Sequence, residues 1–203
     1  MDKVLFKKTD KAFISDLPRF IYEGSIVVVQ GEAEAERAVR MLRGFDLLGI
    51  DTETRPSFQK GVNHKVALLQ IACEEVCFLF RLNEMGFVRC LCELLSDACI
   101  LKVGLSLKDD FHMLWGRNPR FQPAGFVEIQ TIAAEMGIED MSLQKLYANV
   151  FHRRISKSMR LSNWEAEVLS EAQRTYAATD AFSCIQLYKE LVRLQEQGGF
   201  VVE

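Results

Sequence analysis

Three stretches of this 203-residue chain place acids where they could act together. In Ile50-Asp51-Thr52-Glu53 an apolar run ends in two acids two residues apart, and the period of a strand sends both carboxylates to one face. Two like charges at the end of a buried strand need a counter-charge, and a divalent cation is the one that also does chemistry. A solvated strand end is the bland alternative. Farther on, Tyr176 and Asp180 are spaced i, i+4, so they share one helix face, beside Ala177, Ala178 and Ala181, which are small enough for close backbone approach. Pairing of Asp180 with a lysine across an interface is the alternative there. Between these motifs lies VGLSLKDDFHML. At 100° per residue Leu107, Phe111, Leu114 and Trp115 make one apolar face, with Asp110 at its edge and Asp109 pointing to solvent, where the helix macrodipole favours it.

The elements that must position these residues are legible in the apolar patterning. Residues 25 to 30 read as a strand and 32 to 44 as a helix turning Ala35, Val39, Met41 and Leu42 to the core. Strands are predicted at 46–51, 65–72 and 75–81, a helix from about 87, a strand at 98–104, a helix at 106–116, a strand at 125–129, and helices to the end. The helix at 142–151 carries Leu143, Leu146, Tyr147, Val150 and Phe151 on one face. Ser170 followed by Gln173 matches a capping box and starts the helix that bears Tyr176. Three successive strands followed by alternation with helices give an α/β fold, a mixed sheet with helices on both faces.

The chain holds 25 Lys plus Arg against 28 Asp plus Glu, a net charge of −3, so bulk positive charge cannot coat nucleic acid. A local basic groove is still compatible, and residues 152–160 supply one: Arg153, Arg154, Lys157 and Arg160 with no acid among them. Lys157 and Arg160 are favoured for phosphate contact over Arg153 and Arg154. Trp164 is a candidate to stack on a base, with a buried structural role as the alternative. His64 and His112 receive no assignment. With 49% apolar residues, 12 Gly and 4 Pro the chain is an ordinary globular protein, read as one domain over 1–203. Six cysteines without CxxC pairs read as reduced core residues. The lack of a spanning run or a secretory signal leads to the expectation of a cytoplasmic protein without membrane contact.

Taken together, Asp51, Glu53, Asp110, Tyr176 and Asp180 resemble the set that defines the DEDDy group of 3′–5′ exonucleases. LLGIDTE, KVALLQIA, LKVGLSLKDD, and KSMRLSNW followed by QRTYAATDA are similar to the Werner-type exonuclease domain and its small stand-alone bacterial relatives. The resemblance spans about residues 24–194 and leaves 1–23 as an N-terminal extension. It implies a ribonuclease-H-like mixed sheet of five to six strands. It also implies that Asp51, Glu53, Asp110 and Asp180 ligate metal, that Tyr176 positions the nucleophile, and that Thr52 lies with Lys157, Arg160 and Trp164 against substrate.

Four converging carboxylates are tolerable only with cations among them, and hard oxygen ligands favour Mg²⁺ or Mn²⁺, two ions about 3.5–4 Å apart. The expected reaction is hydrolysis of phosphodiesters from the 3′ end of a single strand or a frayed duplex end, releasing 5′-mononucleotides. A tyrosine with a pKa near 10 is a poor base at neutral pH, so orienting water is its easier role, although a metal could lend it base character. DNA is the expected substrate, because the ribonuclease D type usually adds a helical RNA-binding domain. An RNA 3′-end processing exonuclease of that type and a non-catalytic nucleic-acid-binding module of the same fold are the alternatives. The module would be expected to have lost a metal-binding acid, and none is missing.

Overall fold

The computed structural model describes residues 2–203. The chain opens with β1 (Lys3–Leu5) and α1 (Lys11–Asp16), whose first turn is capped by the Asp10 carboxylate accepting from the Ala12 amide at 2.9 Å. Then follow β2 (Ser25–Val29), α2 (Glu32–Leu42), β3 (Leu47–Thr54), β4 (Val66–Ala72) and β5 (Val76–Arg81). Short α3 (Leu82–Met85) and α4 (Arg89–Leu95) lead to β6 (Leu101–Gly104), α5 (Leu107–Trp115), β7 (Phe126–Glu128), α6 (Ile129–Glu135) and α7 (Leu143–Phe151). The 27-residue α8 (Glu171–Gln197) and β8 (Phe200–Val202) complete the chain.

Six strands form one mixed sheet in the order β2-β5-β4-β3-β6-β7, with β4 antiparallel to both neighbours and the other pairings parallel. This is the predicted mixed sheet, at the upper end of the expected five to six strands. β4 lies between two strands under two covered faces, and all seven of its residues are buried. Leu48 and Ile50 of β3 turn to the core under α2 and α4. Gly49, Asp51 and Glu53 alternate to the other face, beneath α8. β1 and β8 pair in parallel as a separate two-stranded sheet, joining the two ends of the chain. At three residues each, these strands are too short to show an alternation. Among the described residues no helix is long and apolar enough to cross a membrane.

Two local features bring α8 down onto β3. The first is its start: the Ser170 hydroxyl accepts from the Gln173 amide and the Gln173 side chain accepts from the Ser170 amide, which is the predicted capping box. The second is the small-residue contact. Ala177, Ala178 and Ala181 are fully buried, and a Cβ on Gly49 would collide with the Ala181 carbonyl oxygen and come within 2.9 Å of Ile185. Gly49→Ala should therefore cost about 2–3 kcal/mol by overpacking, roughly 5–10 °C in a calorimetric thermal midpoint. An unchanged midpoint would show that the helix can back away.

Some side chains depart from the predicted faces. Met41 is largely exposed, and Ala38 takes its place beside Ala35, Val39 and Leu42, because α2 packs through its small residues. Trp115 lies at the edge of its helix face, its ring partly in solvent and its indole N–H donating to the Phe121 carbonyl at 2.7 Å. All six cysteines are free, but only Cys73, Cys77 and Cys184 lie in the core; Cys90 and Cys92 are half-buried and Cys99 is exposed, set in the turn that precedes β6.

Candidate metal centre

Asp51 and Glu53 project from the C-terminal part of β3, and the register with β4 shifts between Glu53 and Thr54, so the strand end bends where the acids stand. Asp180 descends from α8 on the face that Gly49 admits. Carboxylate oxygens of Asp51, Glu53 and Asp180 lie within 4.8 Å of one another. Asp110 stands beside this trio on α5, its Oδ1 accepting from the Thr52 hydroxyl at 2.5 Å. The predicted helix phase places it correctly: Asp109 is exposed, whereas Asp110 turns inward.

The electrostatics follow from this crowding. Burial, then the charges of Asp110, Asp180 and Glu53, hold the Asp51 carboxyl well above the usual carboxylate range. Burial and the neighbouring Asp180 and Asp110 push Glu53 up to about 9, against a smaller opposing pull from Arg160. Burial raises Asp180 to about 7, partly opposed by its hydrogen bond with Tyr176. Burial also raises Asp110 to about 7, opposed by the Thr52 hydroxyl. Among the described residues no lysine or arginine forms an ion pair with any of the four. The fully buried Asp180 Oδ1 has no hydrogen-bond partner. An all-oxygen cluster that lacks an internal counter-charge and carries an orphaned carboxylate oxygen fits hard divalent cations.

Tyr176 lies one turn before Asp180 and is 7% exposed. Burial, followed by the charges of Asp180, Glu53 and Asp51, drives its phenol far above the ordinary tyrosine value. The ring of Trp164 packs against it with centroids 6.0 Å apart. Trp164 itself is completely buried, so it backs the tyrosine and has no face free for a base. That corrects the expectation of a stacking role. Thr52, half-buried, donates its hydroxyl to Asp110.

Of the basic stretch, Arg153 stacks over the Phe20 ring at 5.3 Å and the Arg154 Nε donates to the Leu17 carbonyl at 2.9 Å, so both are tied to the N-terminal segment. Lys157 and Arg160 are exposed and form no ion pair among the described residues, and Arg160 is close enough for its charge to be felt at Glu53. Beyond the end of β3 a cavity of about 560 Å³ runs from Thr54 past Arg55, His64, Lys65 and His112. Both unassigned histidines line this cavity, His64 facing Glu165 at 3.4 Å.

One further residue escaped the sequence reading. The Glu128 carboxylate, at the end of β7, accepts from the amides of Ser106 (3.1 Å) and Leu107 (2.8 Å) at the start of α5, and from that of Gln130 (3.1 Å) at the start of α6. It fixes the helix that carries Asp110. An acid just before a helix is a visible capping signal, but its hold on a second helix depends on the β6–β7 pairing.

Comparison with known proteins agrees with this geometry. The chain is 32% identical over 195 residues to the bifunctional 3′-5′ exonuclease/ATP-dependent helicase WRN of Mus musculus, a match covering 91% of this chain but only 14% of that protein. In fold it is similar to the Nibbler EXO domain of Aedes aegypti, with a TM-score of 0.80 at 17% identity, covering 89% of this chain and 95% of that one. It is also similar to RNase D of Escherichia coli, with a TM-score of 0.76 at 19% identity over 88% of this chain and 46% of that one. These two likenesses establish the ribonuclease-H-like fold. The 3′-5′ exonuclease family pattern matches residues 26–196, so the chain belongs to the 3′-5′ exonuclease family.

Proposed function

We propose that this chain hydrolyses nucleic acid one nucleotide at a time from the 3′ end, DNA in preference to RNA, using two Mg²⁺ or Mn²⁺ ions held by Asp51, Glu53, Asp110 and Asp180. The observation that carries the proposal is the convergence of three carboxylates within 4.8 Å, beside Asp110 and Tyr176, without any internal cation. Ions bound there would activate water and stabilise the leaving 3′ oxygen of the scissile phosphodiester. The preference for DNA rests on the resemblance of the motifs to the Werner-type exonuclease domain, and the assay below decides it.

The remaining groups act on the strand and the nucleophile. Burial and nearby carboxylates keep the proton on Tyr176, so its hydroxyl orients the attacking water and does not deprotonate it. Lys65 and His112, lining the 560 Å³ cavity, and Arg160, whose charge is felt at Glu53, offer donors to phosphates, while Arg55 and His64 are held by Glu165. Phe58, 83% exposed in the loop after β3, is an aromatic free to stack on a base, the task that buried Trp164 cannot perform.

A 5′-labelled DNA strand should shorten in single-nucleotide steps and a 3′-labelled one should release labelled mononucleotide at once, both only with Mg²⁺ or Mn²⁺. Internal fragments or shortening from the 5′ end would overturn the proposal, and faster cleavage of matched RNA would reassign the substrate. Tyr176→Phe should slow turnover by roughly 10- to 100-fold while calorimetric Mn²⁺ affinity stays the same, because the hydroxyl orients and does not ligate. Asp109→Asn should leave single-turnover rates within about twofold, whereas Asp110→Asn should lower them on the order of a hundredfold. The reverse ranking would contradict the inward turn of Asp110.

A further inference from the structure

Gln70 lies in the middle of β4 with none of its surface exposed, and neither its Oε1 nor its Nε2 has a hydrogen-bond partner among the described residues. The β3–β4 register sets it directly opposite Asp51. Cross-strand partners share a face, so its side chain lies beneath α8 beside that acid. Among the orphaned polar groups of α8 are the Ser183 hydroxyl, completely buried, and Asp180 Oδ1. An unmatched buried amide costs about 1–3 kcal/mol, and an apolar residue of the same shape would remove that cost. The rest of this strand is VAL-L-x-IA, wholly apolar, so position 70 is the one place where it departs from what its surroundings favour.

We infer that Gln70 is a positioning residue for the acid cluster, its carboxamide N–H donating to the carboxylates of Asp51 and Asp180 as they turn to a divalent cation, with the Ser183 hydroxyl as its second partner. The inference rests on the metal-dependent reading above. A carboxylate that ligates an ion through one oxygen presents the other away from it, and a fixed amide donor at that oxygen sets the plane of the group. Outer partners of this kind typically contribute 10- to 100-fold in metal affinity.

The test uses Gln70→Met, which keeps volume and discards both polar atoms. Calorimetric Mn²⁺ titration should show a dissociation constant weaker by about 10- to 100-fold, while the metal-free thermal midpoint stays level or rises. kcat should fall with the oligonucleotide KM unchanged. Ser183→Ala should weaken Mn²⁺ binding by about threefold or more, and the double variant should lose less than the product of the two, because the residues share one network. Wild-type Mn²⁺ affinity in Gln70→Met, or a loss that merely parallels a fallen metal-free midpoint, would overturn the inference. If Gln70→Met does not fold, Ser183→Ala decides alone, weaker binding supporting it and unchanged binding overturning it. A wild-type protein that neither binds Mn²⁺ nor cleaves would instead overturn the proposed function.

Discussion

Asp180→Asn should abolish metal-dependent cleavage and, in the absence of ions, make the protein more stable. The substitution keeps the shape of a fully buried side chain and removes one charge from a group of carboxylates that repel one another. The rate should fall on the order of a thousandfold or more, beyond the 10- to 100-fold that loss of an outer partner costs. The metal-free thermal midpoint should rise by about 3–6 °C, corresponding to roughly 1–2 kcal/mol of relieved repulsion. Gel assays and calorimetry on one preparation read both effects. Residual cleavage at a tenth of the wild-type rate, or a lower metal-free midpoint, would show that Asp180 serves the fold and not the ions.

The second large effect is linkage between pH, metal and stability. Asp110 and Asp180 are raised to about 7 and Glu53 to about 9, all above the values these groups have in an unfolded chain. For a group raised on folding, its contribution is fully present below the unfolded pKa and is lost as pH rises through the folded one. The metal-free protein should therefore weaken as pH climbs from about 5 to 9. Saturating Mn²⁺ should reverse this, because ligands must shed protons to bind. At a hundred times the dissociation constant measured at pH 6 the gain is about 2.7 kcal/mol, roughly 5–11 °C, and at that same Mn²⁺ concentration it should be larger at pH 8, where binding is tighter. Thermal scans at the two pH values with Mn²⁺ or EDTA measure it, and an equal gain at both would contradict displacement of protons by the ion.

Much of this site could be read from one dimension because it is built from local periodicities. Asp51 and Glu53 share a face because a strand alternates, Tyr176 and Asp180 because a helix turns every 3.6 residues, and Asp110 follows from the apolar stripe of α5. The small residues beside Asp180 foretold the close approach that Gly49 permits. What could not be read depends on which strand lies next to which. Glu128 holds two helices only because β6 and β7 are neighbours, and Gln70 meets Asp51 only through the β3–β4 register. Trp164 offered an aromatic ring that could stack on a base, and only its tertiary packing against Tyr176 shows it buried. The N-terminal segment offered too little pattern to reveal that β1 pairs with β8.

The central claim is that separate stretches of chain gather their acids to hold divalent cations. Anomalous diffraction from crystals soaked in Mn²⁺ tests it most directly. The account predicts two peaks about 3.5–4 Å apart, bounded by Asp51, Glu53, Asp110 and Asp180, both lost in Asp180→Asn. Peaks confined to surface acids, with none among these four, would contradict it.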